Sequence, residues 1–225
     1  MKSIFKKLMG ENLKLKLSEK KVLTGLLIDI GSDILVLFDG KDYLYIPAVH
    51  IQDMNVLNSS EISINPPADS PNLEHQDELS LRKILNSAKG MFSEIYITGN
   101  QAIHGYVTSI MNNYFVFYSP VYKTMLISLN HLKWLIPYTS NKRPYGLNNE
   151  QLPLSPTNIS LARSLEVQVD KLAGELIVIN LGGHCQVIGK VVKLENNFIE
   201  LVTAKQEYIY LNMHHLKTIH FTNNQ

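Results

Sequence analysis

Apolar and polar residues alternate through Leu13-Lys14-Leu15-Lys16-Leu17, the period of a strand with leucines on one face and lysines on the other. Ile95 and Ile97 repeat this pattern later in the chain, as do Ile177, Ile179 and Leu181. Denser β-rich runs follow each of these segments. They are Ile34-Leu35-Val36-Leu37-Phe38, Tyr114-Phe115-Val116-Phe117-Tyr118 and Phe198-Ile199-Glu200-Leu201-Val202. A further apolar strand comes next in each case: Tyr43-Leu44-Tyr45-Ile46, Met125-Leu126-Ile127 and Tyr208-Ile209-Tyr210-Leu211. Short final strands are marked by Ile51 and Met54, Leu132 and Leu135, and Leu216 and Ile219. The period changes to a helical one at Leu81, Ile84, Leu85 and Ala88, and again at Leu161, Leu165, Val169 and Leu172. Gly90 and Gly174 then stand where a left-handed residue closes a helix. Before Gly10 there is a stub with Ile4, Phe5 and Leu8.

These elements recur at a fixed period. Gly10, Gly25 and His50 match Gly90, Gly105 and His131, and then Gly174, Gly189 and His215. The glycine pairs are 15 residues apart in every copy, and the second glycine precedes the histidine by 25, 26 and 26 residues. Asp33, Asn113 and Asn197 occupy one turn position in the three copies. Hairpin turns are expected at Ser18-Glu19, Gly99-Asn100 and Gly182-Gly183. Six of the nine prolines fall in two segments between copies, marking linkers. The expected organisation is a first module at 1–57, a linker at 58–78, a second module at 79–138, a linker at 139–157 and a third module at 158–222.

Composition changes this picture little. The chain of 225 residues is 45% apolar and 18% charged, enough for a core, and its net charge is +1. Residues 1–21 hold seven lysines against two glutamates, a local balance of +5 that leaves −4 for the rest. A single cysteine, Cys185, excludes an intramolecular disulfide and a CxxC zinc site. No signal-peptide core follows the first lysines, and no run approaches the roughly 20 apolar residues of a membrane span. Synthesis inside the cell is the expectation.

The run from Gly105-Tyr106-Val107 to Asn113-Tyr114-Phe115-Val116-Phe117, with a short last strand entered at His131 or His215, resembles the Sm-like fold, an SH3-type small barrel. The third copy, from Leu172-Ala173-Gly174-Glu175-Leu176 to Tyr208-Ile209-Tyr210-Leu211, is similar to the short Sm-like domains of Bacillus proteins, several of them spore-coat associated. Tyr45-Ile46-Pro47-Ala48-Val49-His50-Ile51 has the same look. The resemblance implies a mainly β protein with short helices: three tandem small barrels, each an N-terminal helix plus five strands. It also implies association edge to edge through the last two strands. A more distant resemblance is to the bacterial Sm-like RNA chaperone, whose RNA-binding signature is Tyr-Lys-His. Here those places read Ala48-Val49-His50, Leu129-Asn130-His131 and Met213-His214-His215, without the tyrosine or the lysine.

Candidate chemistry is sparse. The repeated histidines fit either a ligand-stacking group or a structural turn residue, and the structural reading is preferred because their neighbours lack the charge RNA needs. His214, His215 and His220, or His184 beside Cys185, are adjacent in ways that do not chelate a metal on a strand. Cys185 lacks the surroundings of a nucleophile. Lys14, Lys16, Lys20 and Lys21 fit either an anionic-partner surface or protection of an exposed strand, with protection preferred. The aromatics of the middle copy imply either packing of a second face or an exposed surface, packing being preferred. No catalytic residue, metal or cofactor is assigned. The reading is a non-enzymatic structural or assembly protein of the spore coat, joined to coat proteins or to itself through strand edges. The alternative is a cytoplasmic RNA-binding protein using the four lysines.

Overall fold

The computed structural model describes residues 5–58, 64–65, 79–97, 102–138, 144–146, 159–182 and 186–221. Within them, the first strands are β1 (Asn12–Leu17), β2 (Val22–Ile30), β3 (Ile34–Phe38), β4 (Tyr43–Pro47) and β5 (Ile51–Val56). Helix α1 (Leu81–Ser87) precedes β6 (Phe92–Tyr96), β7 (Ile103–Ile110), β8 (Tyr114–Ser119), β9 (Lys123–Ser128) and β10 (Trp134–Pro137). Helix α2 (Leu165–Asp170) precedes β11 (Leu176–Ile179), β12 (Val187–Glu195), β13 (Phe198–Val202), β14 (Tyr208–Asn212) and β15 (Thr218–Phe221). The chain divides into two compact units, one of residues 1–96 and 132–142, the other of 97–131 and 143–225.

In the first unit the strands follow the open order β6-β10-β4-β3-β2-β1-β5. Leu13, Leu15 and Leu17 are fully buried while Lys14 and Lys16 face solvent, as the alternation requires. Leu27, Ile34, Leu35, Leu37 and Ile46 of the same unit are buried as well. In the second unit the order is β14-β13-β12-β11-β15-β9-β8-β7, again open. Its core joins Leu165, Val169 and Leu172 of the α2 region to Tyr114, Val116 and Leu126, and to Ile177, Val191, Ile199 and Ile219. Every residue of β8 is buried, so both aromatic sets of that strand are covered.

Register shifts interrupt three pairs at one equivalent place: Leu27/Asp29 in β2, Val107/Ser109 in β7 and Val191/Lys193 in β12. An extra residue there bends the strand and increases its twist.

The expected fold class is corrected in two respects. Three closed barrels with a helix each do not form; the strands lie in open antiparallel order. β5 pairs with β1, and the outer edge of β4 goes to β10, far along the chain, with Leu135 opposite Tyr45. Likewise β9 pairs with β15, placing Ile219 opposite Leu126. A segment of about 60 residues buries too little surface to be secure alone, and a strand borrowed from a later segment covers an edge that would otherwise invite aggregation. Among the described residues the helices are also fewer than expected, the first expected helix lying partly outside them. The described residues hold two α-helices, and ahead of β1 there is a 3-10 turn at Lys6–Leu8.

Candidate functional site

Of the six repeated glycines, Gly10, Gly90 and Gly174 have the left-handed backbone expected of them, with φ of +79°, +77° and +89°, while Gly25, Gly105 and Gly189 are packing positions. A Cβ on Gly25 would lie 2.9 Å from the carbonyl oxygen of Phe38, and one on Gly189 would lie 3.0 Å from that of Val202. On Gly105 it would overlap the Tyr118 carbonyl oxygen outright. At Gly25 and Gly105 the second strand of a set passes its neighbour too closely for a side chain, and at Gly189 it leaves only a tight fit.

The repeated histidines each end a 3-10 turn, at Ala48–His50, Leu129–His131 and Met213–His215. His50 Nδ1 lies 3.2 Å from Ser18 Oγ, and His131 Nε2 lies 3.0 Å from the His214 carbonyl. The His215 carbonyl accepts from Asn180 Nδ2 at 3.1 Å. The start of each turn is fixed from the other side. Ala48, Leu129 and Met213 donate their amides to the carbonyls of Asp33, Asn113 and Asn197 at 2.9, 2.9 and 2.8 Å.

Side chains at that turn position also anchor the helices. Asp33 Oδ1 accepts from the Leu81 amide at 2.8 Å, and Asn113 Oδ1 accepts from the Leu165 amide at 2.8 Å. Each satisfies a donor that the first turn of a helix leaves open. Asn113 Nδ2 also donates to both oxygens of Glu166, at 2.9 and 3.0 Å. Burial alone would raise the Glu166 carboxyl, but its own amide, Asn113, Ser164 and the His214 charge hold it below the usual range. The Tyr114 hydroxyl lies 2.7 Å from the Ala162 carbonyl, and burial pushes its pKa up to about 12.

The four candidate lysines lie in different local settings. Lys14 and Lys16 share the exposed face of β1, and Lys16 pairs with Asp53 at 3.5 Å. Lys20 sits in the β1–β2 turn with φ +62°, and Lys21 stands over the Tyr96 ring at 5.1 Å. One buried group, Lys133, escaped the sequence reading, and a second, His220, entered it only as a discounted metal candidate. Lys133, with 4% of its side chain exposed, meets Glu19 Oε2 at 3.2 Å and Ser18 Oγ at 3.0 Å. His220 is buried beside the Tyr122 ring, and desolvation lowers its pKa to about 4 against a backbone hydrogen bond at Tyr122 that raises it. Gly183, His184 and Cys185, and the Gly99-Asn100 turn, lie outside the described residues. Among the described residues no helix is long and apolar enough to cross a membrane.

The strongest candidate for an interaction site is the outer edge of β14. Among the described residues, no strand pairs β14 on the side away from β13, and none pairs β5 on the side away from β1. β4 and β14 share the pattern Tyr-apolar-Tyr-apolar and both run directly into a 3-10 turn. Tyr45 on β4, beside β10, is 1% exposed; Tyr210 at the equivalent place on β14 is 62% exposed. Phe198 repeats the contrast, at 44% exposure against 0% for Ile34 and Tyr114 at its equivalent positions. Identical patterning with opposite burial marks a surface built like an interior one.

Comparison with known proteins adds relatives. The family profile "YwrJ third domain" matches residues 164–219. The uncharacterized protein YwrJ of Bacillus subtilis (strain 168) is 44% identical over 202 residues, covering 87% of this chain and 89% of that protein. Spore coat protein B of the same organism is 24% identical over 143 residues, 64% of this chain and 35% of that longer protein.

Proposed function

We propose that this chain, which belongs to the YwrJ family, is a non-enzymatic structural protein of the spore coat that assembles through its strand edges. The observation carrying this reading is the exposed β14 edge, whose tyrosines are patterned like the covered Tyr45 of β4. The distant likeness to spore coat protein B gives the setting. Exposed aromatic edges of this kind suit permanent association, since unpaired strand amides and carbonyls template pairing with another chain. The arrangement also gives rigidity: Gly105 against Tyr118, and Asn113 against Leu165 and Glu166, hold closely packed strands and helix ends.

The test is fractionation of purified spores from a spore-forming host that expresses the tagged chain. Recovery in the alkali- or detergent-extracted coat fraction is expected, with little in the core lysate. Recovery confined to vegetative cytosol or to the spore core would refute the reading.

A further inference from the structure

We infer that β14 of one copy pairs antiparallel with β5 of a second copy, with Tyr210 opposite Met54. This rests on the assembly reading above and names its partner. Two joints within the chain supply the template. β4 is covered by β10, with Leu135 opposite Tyr45, and β9 is covered by β15, with Ile219 opposite Leu126. Tyr45 and Leu126 each stand three residues before the 3-10 turn that follows their strand. Leu135 and Ile219 each stand four residues after the histidine that ends the turn before their strand. The two joints therefore share one register.

Tyr210 occupies the first of these places on β14, three residues before Met213–His215. On the receiving side, Met54 stands four residues after His50, on β5. β5 is the remaining final strand whose outer edge is unpaired among the described residues. It donates the same kind of edge that β10 and β15 donate. Pairing would cover Tyr208 and Tyr210, now 60% and 62% exposed, along with Val56 at the far end of β5. The exposed Phe198 lies next to this edge, opposite Asn212 in the register of β13 and β14. Because β14 and β5 are different surfaces, the contact is heterologous, so successive copies form a closed ring or a filament.

Two single-cysteine chains test the register in a Cys185→Ser background. One carries Met54→Cys and the other Tyr210→Cys; both sites are on strand edges, so the fold should tolerate them. Oxidation of the mixed purified chains is expected to give the heterodimeric disulfide at least tenfold above either chain alone. It should also exceed, by a similar factor, a control pairing of the Met54→Cys chain with a Lys190→Cys chain. Sedimentation of the unmodified chain should show concentration-dependent growth beyond a monomer, and Tyr210→Lys should reduce it at least tenfold in apparent affinity.

Disulfide formation at the control level, or homodimers of the Tyr210→Cys chain in excess, would overturn the inference. So would a monomer at all concentrations. Cross-linking by a chain that is absent from coat extracts would sink the coat reading and leave the pairing. Coat recovery without cross-linking would do the reverse.

Discussion

At the scale of single residues, the three repeated glycines differ in the space they leave, and their substitutions should rank accordingly. Gly105→Ala is expected to cost on the order of 3 kcal/mol or more, because its methyl group overlaps the Tyr118 carbonyl and the backbones must separate. Gly189→Ala, with 3.0 Å to the Val202 oxygen, should cost about half of that. Urea unfolding of the two variants checks the order; equal midpoints would contradict it. His220 makes a second prediction. Its folded pKa of about 4 lies below the ordinary 6.5 because burial disfavours the charged ring. The unfolded chain therefore takes up the proton first as pH falls. The stability tied to this group is complete above pH 6.5 and is lost between 6.5 and about 4, by roughly 3 kcal/mol. Thermal melts of wild type and His220→Phe should keep a constant difference above pH 6.5, and wild type should lose stability relative to the variant as pH falls from 6.5 to about 4. Parallel curves would show that the ring does not titrate this way. The glycines and histidines were legible as a period, since a close strand approach and a 3-10 turn each recur at a fixed spacing. Lys133 was not legible: only the fold brings Glu19 and Ser18 to its ammonium group across more than a hundred residues.

At the scale of elements, the side chain at the Asp33 and Asn113 position couples a sheet turn to the first amide of a helix that comes about fifty residues later in the chain. Asn113→Ala would leave the Leu165 amide and the Glu166 carboxylate without this partner. The expected loss is about 1–3 kcal/mol, larger than the roughly 1 kcal/mol for the Ser164→Ala cap. Chemical denaturation compares the two; a smaller loss at Asn113 would show that the turn is not the helix anchor. Strand faces were legible because period-two alternation states burial directly, as Leu13, Leu15 and Leu17 show. Strand partners were not. Nothing in the alternation of β4 says that its outer neighbour is β10, because backbone pairing carries no side-chain signature beyond the apolar pattern. The closed-barrel expectation failed at that point, where the outer edge of β4 is paired by a strand of a later segment.

For the whole molecule, the proposed coat role rests on the exposed outer edge of β14. The similar Tyr-apolar-Tyr patterns of β4 and β14 were visible in the sequence, but their opposite burial was not, since it depends on which edge has a neighbour. The most direct measurement is imaging of a fluorescent fusion of this chain in sporulating cells, beside the same fusion carrying Tyr210→Lys. Coat assembly predicts a shell around the forespore for the unaltered chain and a weakened or dispersed signal for the variant. Diffuse fluorescence of the unaltered chain throughout the mother cell, with no shell at any stage, would contradict it.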